Sequence, residues 1–366
     1  IYDRIKKMKM RFRLVSVSAP IIALTISFGL SSLILLVIGK DPYETFKIMF
    51  EYGIRGKSIV SIINRSIPLY ISAIAVAVGF KMGLFNIGVE GQYLMGSLIA
   101  AYVGAQFSVI TPLHILFIII VAVATSSLWA AIAGYLKVEK GIHEVISTIM
   151  LNYIGTGLIA YSLTTIFDEP NSNYDLPRTK ELPETGKMPP LNKFFNIEDL
   201  QDLHGFLVIA VLVGIFYYWL VWKTTLGFDL RITGSNPIAA KFSGINPKRL
   251  VVIAMITSGG FAGLVGLGPL LGYFHRYTID FPTGLGFAGI GVALLGRNHP
   301  FGMAVGALLF AFLQRSAQIL DLNDVPKEIE QMMQAFILLI VVVFYEVIRR
   351  FIVKQQVKDA SKRTDE

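Results

Sequence analysis

Long apolar runs follow one another along almost the whole chain, separated by short polar segments. Ten of these runs approach the roughly 20 residues that an α-helix needs to cross a bilayer, although the eighth is shorter. The eighth run is predicted to be tilted, re-entrant or buried by neighbouring helices. The alternation of a transmembrane β-barrel is absent, so the pattern predicts an all-α polytopic membrane protein. The predicted spans are residues 17–38, 59–81, 86–108, 112–136, 143–166, 205–222, 249–272, 284–296, 300–319 and 331–350.

Composition agrees with a multi-pass protein of the cytoplasmic membrane. Hydrophobic residues make up 54% of the 366 residues and charged residues only 16%, against about 25% charged residues in a typical soluble protein. The net charge of +8 comes from bases beside the spans, so it indicates positive-inside topology rather than binding to nucleic acid. Cysteine is absent, which excludes disulfide and thiolate chemistry. The first apolar run lacks a small-residue cleavage site and is predicted to be a retained span.

The charge of the connecting segments predicts which side of the membrane each one faces. The loops after the even-numbered spans are basic, which places both termini in the cytoplasm. The longest outer loop, 167–204, carries eight acidic and four basic residues, for a net charge of −4. The chain therefore divides into a basic N-terminus over 1–16, a transmembrane domain over 17–350 and a charged cytoplasmic tail over 351–366.

A short amphipathic helix is predicted on the outer membrane surface after the first span. Asp41 can cap this helix, Pro42 suits its first position, and Phe46 and Phe50 supply aromatic side chains. Such a helix usually lies in the interface between lipid and water. A gate or a docking element is the functional alternative.

The segment 83–97 carries polar side chains between two apolar runs. Asn86, Glu90 and Gln92 lie there, together with four glycines. Polar groups at membrane depth are costly and are usually functional, and broken helices of this kind often border substrate paths in transporters. The segment is therefore the first candidate for a transport path.

A weak internal repeat also favours a transporter. Residues 83–89 match residues 286–292 at four of seven positions. The predicted topology places the first copy at the inner end of its span and the second at the outer end, as an inverted repeat requires. A chance match between glycines and aliphatic residues is the alternative.

The cytoplasmic loop 223–248 predicts a short isolated helix over residues 237–243. Asn236 can cap it, Pro237 suits its first position and Gly244 suits its end. Two helical turns are not stable alone in water, so something must pack on them. A soluble partner is the functional interpretation, and an ordinary structured loop is the alternative.

Several motifs for other chemistries fail on inspection. Residues 284–289 fit a G-x-G-x-x-G pattern but lie in an apolar segment, where tight helix packing is expected. Residues 51–58 lack the first glycine of a nucleotide-binding P-loop, and the scattered histidines predict no metal site. The pair Gly259 and Gly263 is predicted to let two helices approach closely.

The motifs together resemble the permease subunits of bacterial ABC importers for simple sugars, branched-chain amino acids and nucleosides. The segment 83–92, with its Asn-Ile-Gly-Val-Glu-Gly-Gln core, is similar to the signature of that family. Residues 141–153 and 234–245 resemble the nucleoside branch, whose importers work with a lipoprotein. The resemblance covers about residues 15–350.

This resemblance implies an assembly in which the present chain is one subunit. A second permease, commonly a different paralogue, would pair with it, and a lipid-anchored binding protein would deliver the substrate from outside. Cytoplasmic ATPases would bind ATP and Mg²⁺, so no cofactor is expected on this chain. They would dock on a coupling helix, to which the resemblance assigns Asn236, Pro237, Ala239, Ala240, Lys241, Ser243 and Gly244. The loop 167–204 could contact the binding protein or could be a passive linker.

Six residues are candidates for the substrate path. Tyr153 could stack on a nucleobase, whereas Glu90 could instead bond only to a helix start and Glu144 could lie at the cytoplasmic boundary. The set is Asn86, Glu90, Gln92, Glu144, Asn152 and Tyr153.

Two rival classes remain open at this point. A secondary transporter would need ion-coupling carboxylates inside spans, where Glu90 is the clear candidate. A membrane enzyme would need a nucleophile, a metal site or paired acids, and the sequence predicts none of them. A permease for a simple sugar or for branched-chain amino acids is the alternative within the resembling family.

Overall fold

The computed structural model describes residues 22, 24–168, 176–192, 202–326 and 328–364. The described residues are nearly all helical. The predicted N-terminal region 1–16 and parts of the predicted outer loop 167–204 lie outside the described residues. The helices are α1 (Leu24–Val37), α2 (Pro42–Gly53), α3 (Gly56–Lys81), α4 (Val89–Gly104), α5 (Thr111–Lys140), α6 (Glu144–Thr165), α7 (Phe206–Lys223), α8 (Thr225–Ser235), α9 (Pro237–Phe242), α10 (Pro247–Gly263), α11 (Leu267–Pro269), α12 (Leu285–Leu295), α13 (Pro300–Ala317) and α14 (Ile329–Thr364).

Six helical segments among the described residues are long and apolar enough to cross a membrane, and the count rises to seven if the bent pair α1 and α2 forms one span. The six are α3, α5, α6, α7, the segment Pro247–Phe274 and α13. The predicted count of ten is not confirmed. The predicted eighth span is the short helix α12, and the predicted third span begins at Val89 rather than at residue 86.

The chain divides into two compact units. The first holds residues 1–54 and 313–366. Within it, α2 begins at the predicted cap, where Asp41 accepts a hydrogen bond from the backbone N–H of Tyr43 at 2.7 Å. The axes of α1 and α2 differ by 118°, and Phe28 meets Phe46 edge to face, with ring centroids 5.2 Å apart.

The second unit, residues 55–312, is built around α3. Most side chains of α3 between Ser58 and Gly79 are buried, since α10 and α12 pack against it. Helices α5 and α10 lie close together because α10 presents two glycines to α5, as the sequence predicted. A Cβ atom at Gly259 would lie 2.6 Å from the Ser126 carbonyl oxygen, and one at Gly263 would lie 2.6 Å from that of Ala122.

Candidate functional site

The backbone between α3 and α4 is not helical although it lies among membrane helices. It turns at Gly83, whose φ of +73° suits glycine, and it becomes helical at Val89. Irregular backbone is tolerated at membrane depth only where its N–H and C=O groups find partners in the protein. The residues 82–88, named here the crossing segment, therefore depend on nearby polar side chains.

Asn86 and Gln92 form a buried amide pair that holds the crossing segment to α4. Their side chains face each other through two hydrogen bonds of 3.1 Å. Asn86 also donates to the Ser258 hydroxyl of α10 at 2.8 Å, and Ser258 donates to the Ala75 carbonyl of α3 at 2.6 Å. This chain of hydrogen bonds links three helices to one segment.

Asn152 and Glu144 fix the crossing segment from α6. The Asn152 amide donates to the Ile87 carbonyl at 3.0 Å and accepts from the Gly91 N–H at 2.9 Å. The Glu144 carboxylate accepts from the Phe85 N–H at 3.3 Å and forms an ion pair with Lys137 at the end of α5. Both side chains are buried.

Glu90 connects α4 to the start of α12. Its carboxylate accepts hydrogen bonds from the N–H groups of Gly284 at 2.6 Å and Gly286 at 2.8 Å. The Tyr93 hydroxyl lies 3.1 Å from the same carboxylate.

The structure brings five of the six predicted residues together around the crossing segment. Their polar atoms bond to backbone and to one another, so the cluster is closed in this conformation. Tyr153 does not join it, because its side chain is 73% exposed on the outer surface of α6.

Sequence reasoning missed three members of this cluster, namely Ser258, Tyr93 and Lys137. Ser258 has a weak sequence signal, since it lies in a Thr-Ser-Gly-Gly run inside an otherwise apolar helix. Among the described residues no group of three or more acidic or histidine side chains could hold a metal ion.

The predicted cytoplasmic helix is present as α9. Asn236 caps it by accepting from the N–H groups of Ile238 at 3.1 Å and Ala239 at 3.0 Å. It ends at Phe242, one residue before the predicted end, and Gly244 follows with a φ of +83°.

The outward face of α9 is apolar. Ile238 is 71% exposed and Phe242 is 88% exposed, one turn apart. Ala240 is fully buried on the opposite side and fixes the helix to the protein. Two large apolar side chains displayed on so short a helix suit insertion into a groove of another protein.

The loop before α9 is not irregular, because α8 occupies most of it. The C-terminal end of α8 packs against the backbone of Lys81 and Met82, where α3 leads into the crossing segment. A Cβ atom at Gly234 would overlap the Lys81 carbonyl oxygen and lie 2.8 Å from the Met82 carbonyl carbon. A displacement of α9 would therefore reach the crossing segment through backbone contacts alone.

The described part of the predicted outer loop is fixed to the segment after the π-helical turn Leu270–Phe274. The Thr179 N–H donates to the Tyr277 carbonyl at 2.9 Å, and the Leu182 N–H donates to the His275 carbonyl at 2.8 Å. Glu181 forms ion pairs with Arg276 and with Lys187, the latter at 2.8 Å.

These ion pairs predict that acid loosens the outer loop. The hydrogen bond from Lys187 holds the pKa of Glu181 below its usual value of 4.5, and the carboxylates of Glu181 and Glu184 raise the pKa of Lys187. The stability that the Glu181 carboxylate gives the loop is present above pH 4.5. It is lost as the pH falls through the lowered pKa of Glu181. The Lys187 contribution is lost only at strongly basic pH.

Hydrogen exchange of residues 176–192, corrected for the intrinsic rates, measures this effect. We expect faster exchange below the lowered pKa in the wild type. Glu181→Gln should exchange equally fast at neutral and acidic pH. Acid-insensitive exchange in the wild type would contradict the role given to Glu181.

The apolar helices define a multi-pass membrane protein with a buried polar cluster among its helices. Residues 58–342 match the model of the family described as "Branched-chain amino acid transport system / permease component". The chain belongs to this permease family.

Four relatives illustrate the similarity. The guanosine ABC transporter permease NupP of Bacillus subtilis is 33% identical, over 92% of this chain and 95% of its own; NupQ, a guanosine permease of the same organism, is 26% identical over 72% and 82%. The nucleoside ABC transporter permease NupB of Lactococcus lactis is 30% identical over 95% and 96%. The glucose ABC transporter permease TsgB13 of Haloferax volcanii is 26% identical over 88% and 86%.

Proposed function

We propose that this chain is a permease subunit of an ATP-driven importer that moves nucleosides into the cell. The observation that carries the substrate class is the similarity to the guanosine permease NupP and the nucleoside permease NupB, each along more than nine-tenths of the chain. The buried polar cluster and the exposed helix α9 support transport driven by a separate cytoplasmic ATPase.

The ATPase would bind ATP and Mg²⁺ and would dock on α9. Its closure would move α9, and α8 would transmit this movement through Gly234 to the backbone of Lys81 and Met82. The crossing segment would then shift together with α6 and α10, to which Asn152 and Asn86 fix it. Through Glu90 the same movement would reach α12. Displacement of α9 would therefore move both ends of the transport path.

A bulky residue at position 234 is expected to uncouple ATP hydrolysis from transport. Gly234→Val places atoms where the Lys81 carbonyl lies, and backbone cannot yield as a flexible side chain can. We expect nucleoside uptake to fall at least about tenfold, a barrier change of about 1.4 kcal/mol, while the ATPase still co-purifies. Radiolabelled uptake and pull-down of the tagged chain measure the two effects.

The control is Gly29→Ala in α1, where an added Cβ atom meets nothing within 4 Å. This variant should transport like the wild type. Normal uptake by Gly234→Val would remove α8 from the transmission route.

The polar lining of the path is the second part of the proposal. Asn86, Gln92 and Asn152 carry amides that match the donors and acceptors of a nucleobase. In this conformation they bond within the protein, so substrate would contact them only after the crossing segment moves. Hydrogen bonds to the substrate would then replace those within the protein, which would keep the free-energy cost of that movement low.

A second permease would cover the outer face of α6. This face displays Ile146, Met150, Tyr153 and Tyr161 at helical spacing, and all four are exposed. A path between two permeases would place Tyr153 at its wall, where the ring could stack on a base. A different paralogue is the proposed partner, as two guanosine permeases of Bacillus subtilis are similar to this chain.

A lipid-anchored binding protein would deliver nucleoside to the outer surface. The described part of the outer loop is held there by backbone hydrogen bonds and ion pairs, while Glu184 remains strongly exposed. A fixed backbone with exposed charge suits a docking partner that binds transiently.

Import of a simple sugar is the second candidate, supported by the similarity to the glucose permease TsgB13. Uptake of radiolabelled guanosine, ribose and leucine, in cells with this chain deleted and restored, separates the candidates. We expect loss of guanosine uptake alone. Loss of ribose or leucine uptake with normal guanosine uptake would keep the permease and overturn the substrate.

A further inference from the structure

An apolar groove of about 560 Å³ runs along the surface of the second unit between α3, α7 and α13. Its volume is in the range of small-molecule sites. Tyr70 lies over Gly214 in its floor, where an added Cβ atom would overlap the tyrosine hydroxyl. Val211, Ile215 and Phe301 are exposed along its rim, so the groove opens sideways towards the membrane.

The groove has the length and the polarity of one leaflet of a bilayer. From Leu207 to Tyr218 the α7 wall extends about 16 Å, close to half of a hydrocarbon core of about 30 Å. The Ser66 hydroxyl in the α3 wall donates to the Ile63 carbonyl of its own helix at 2.7 Å, so it offers no hydrogen to an occupant. The walls therefore suit an alkyl chain.

The cytoplasmic end of the groove is cationic and aromatic. Tyr218, which lines that end, stacks on Trp222 with ring centroids 5.3 Å apart. The Lys81 ammonium lies 4.9 Å from the Trp222 ring centroid, and the His299 ring lies 5.6 Å from it. Lys223, the next residue, is exposed on the side of α7 that faces away from the groove. Aromatic and basic side chains at this depth meet the headgroups of the inner leaflet.

We propose that this groove binds one anionic phospholipid of the inner leaflet, with an acyl chain along α7 and the phosphate beside Lys81. Tyr218 lines the groove and stacks on Trp222, over which Lys81 lies, so the apolar groove ends at a cationic and aromatic cluster that matches the two parts of such a lipid. Basic pockets between helices on the cytoplasmic side recognise anionic headgroups in this way. The site is separate from the crossing segment and does not depend on the identity of the transported substrate.

The test uses the full chain with its partners, in nanodiscs that contain equal amounts of phosphatidylglycerol and phosphatidylethanolamine. Native mass spectrometry then counts the phospholipid retained after transfer to detergent. We expect one retained phosphatidylglycerol per chain, lost in Ala304→Phe, which fills the groove. Val305→Phe, on an exposed part of α13 outside the groove, should retain it.

The headgroup contact has its own pair of variants. Lys81→Gln should lower the preference for phosphatidylglycerol about fivefold, the effect expected for one basic residue near a membrane surface. Lys140→Gln, an exposed lysine at the cytoplasmic end of α5, should leave it unchanged. An unchanged preference in Lys81→Gln would overturn the proposed headgroup site.

A second measurement does not need a variant that fills the groove. In a Trp129→Phe, Trp219→Phe background, brominated phosphatidylglycerol should quench Trp222 more strongly than brominated phosphatidylethanolamine does. Equal quenching by the two lipids, or equal retention by Ala304→Phe and Val305→Phe, would overturn the proposal. So would a cross-link from Phe301 to a partner permease, because protein would then fill the groove.

Discussion

Cells that carry Glu90→Ala are expected to take up nucleoside far more slowly than wild-type cells while the ATPase still docks. The substitution leaves the N–H groups of Gly284 and Gly286 without their acceptor, and the Gly286 N–H is buried. One unsatisfied buried donor costs about 1–3 kcal/mol, so we also expect a loss of about 1 kcal/mol or more in the free energy of unfolding. Thermal unfolding of the purified chain and radiolabelled uptake measure the two losses.

Glu90→Gln is the matched control because it keeps the size of the side chain and one acceptor oxygen. Its NH₂ group would face one of the two glycine N–H groups, so an intermediate loss is expected. Co-purification of the ATPase should be normal for both variants, since α9 is untouched. Normal uptake by Glu90→Ala would show that the link between α4 and α12 is not needed for transport.

The double substitution Ile238→Ser, Phe242→Ser is expected to release the ATPase and abolish uptake. These are the large apolar side chains displayed by α9, and a few central apolar residues carry most of the energy of an interface. Each truncation of such an anchor costs about 2 kcal/mol or more, so the two together should weaken docking about a thousandfold. Pull-down of the ATPase with the tagged chain provides the measurement.

Ile142→Ser removes an exposed apolar residue from the cytoplasmic loop between α5 and α6 and serves as the control. The ATPase should bind this variant normally. Undiminished docking in the double variant would mean that another surface, and not α9, receives the ATPase. The folded state of each variant is checked by size-exclusion chromatography, since both changes lie on the surface.

Local chemistry explains why α9 could be predicted from sequence. Asn236, Pro237 and Gly244 each perform the local role that their residue type favours, so the helix was located to within one residue. The preceding α8 was missed because its glycines read as loop residues. Gly227 is needed there for packing, since an added Cβ atom would lie 2.6 Å from the Val221 carbonyl carbon. Packing against α7 determines that this segment is helical, and the local sequence pattern does not contain that contact.

The polar cluster shows the same division between local and distant information. The sequence identified Asn86, Glu90 and Asn152 as candidates for the substrate path, and all three are buried. Their hydrogen-bond partners could not be predicted, because Glu90 meets a residue 196 positions away and Asn86 meets one 172 positions away. The substrate contacts of the cluster remain a prediction, as does the inverted repeat.

The repeat illustrates why short matches are weak evidence. Residues 83–89 form mostly irregular backbone before α4, whereas residues 286–292 lie inside the helix α12. The two copies therefore differ in local structure although four residues agree. Glycine serves a turn in the first copy and close packing in the second, since an added Cβ atom at Gly286 would lie 2.5 Å from the Glu90 nitrogen.

The central claim is that this chain carries nucleosides across the membrane when a separate ATPase hydrolyses ATP. The most direct measurement is accumulation of radiolabelled guanosine in proteoliposomes that contain this chain, its partner permease and the ATPase, with the binding protein added outside. The account predicts accumulation that requires ATP and Mg²⁺ on the ATPase side and that persists when ion gradients are collapsed. Accumulation that an ion gradient drives without ATP would contradict the account and favour a secondary transporter.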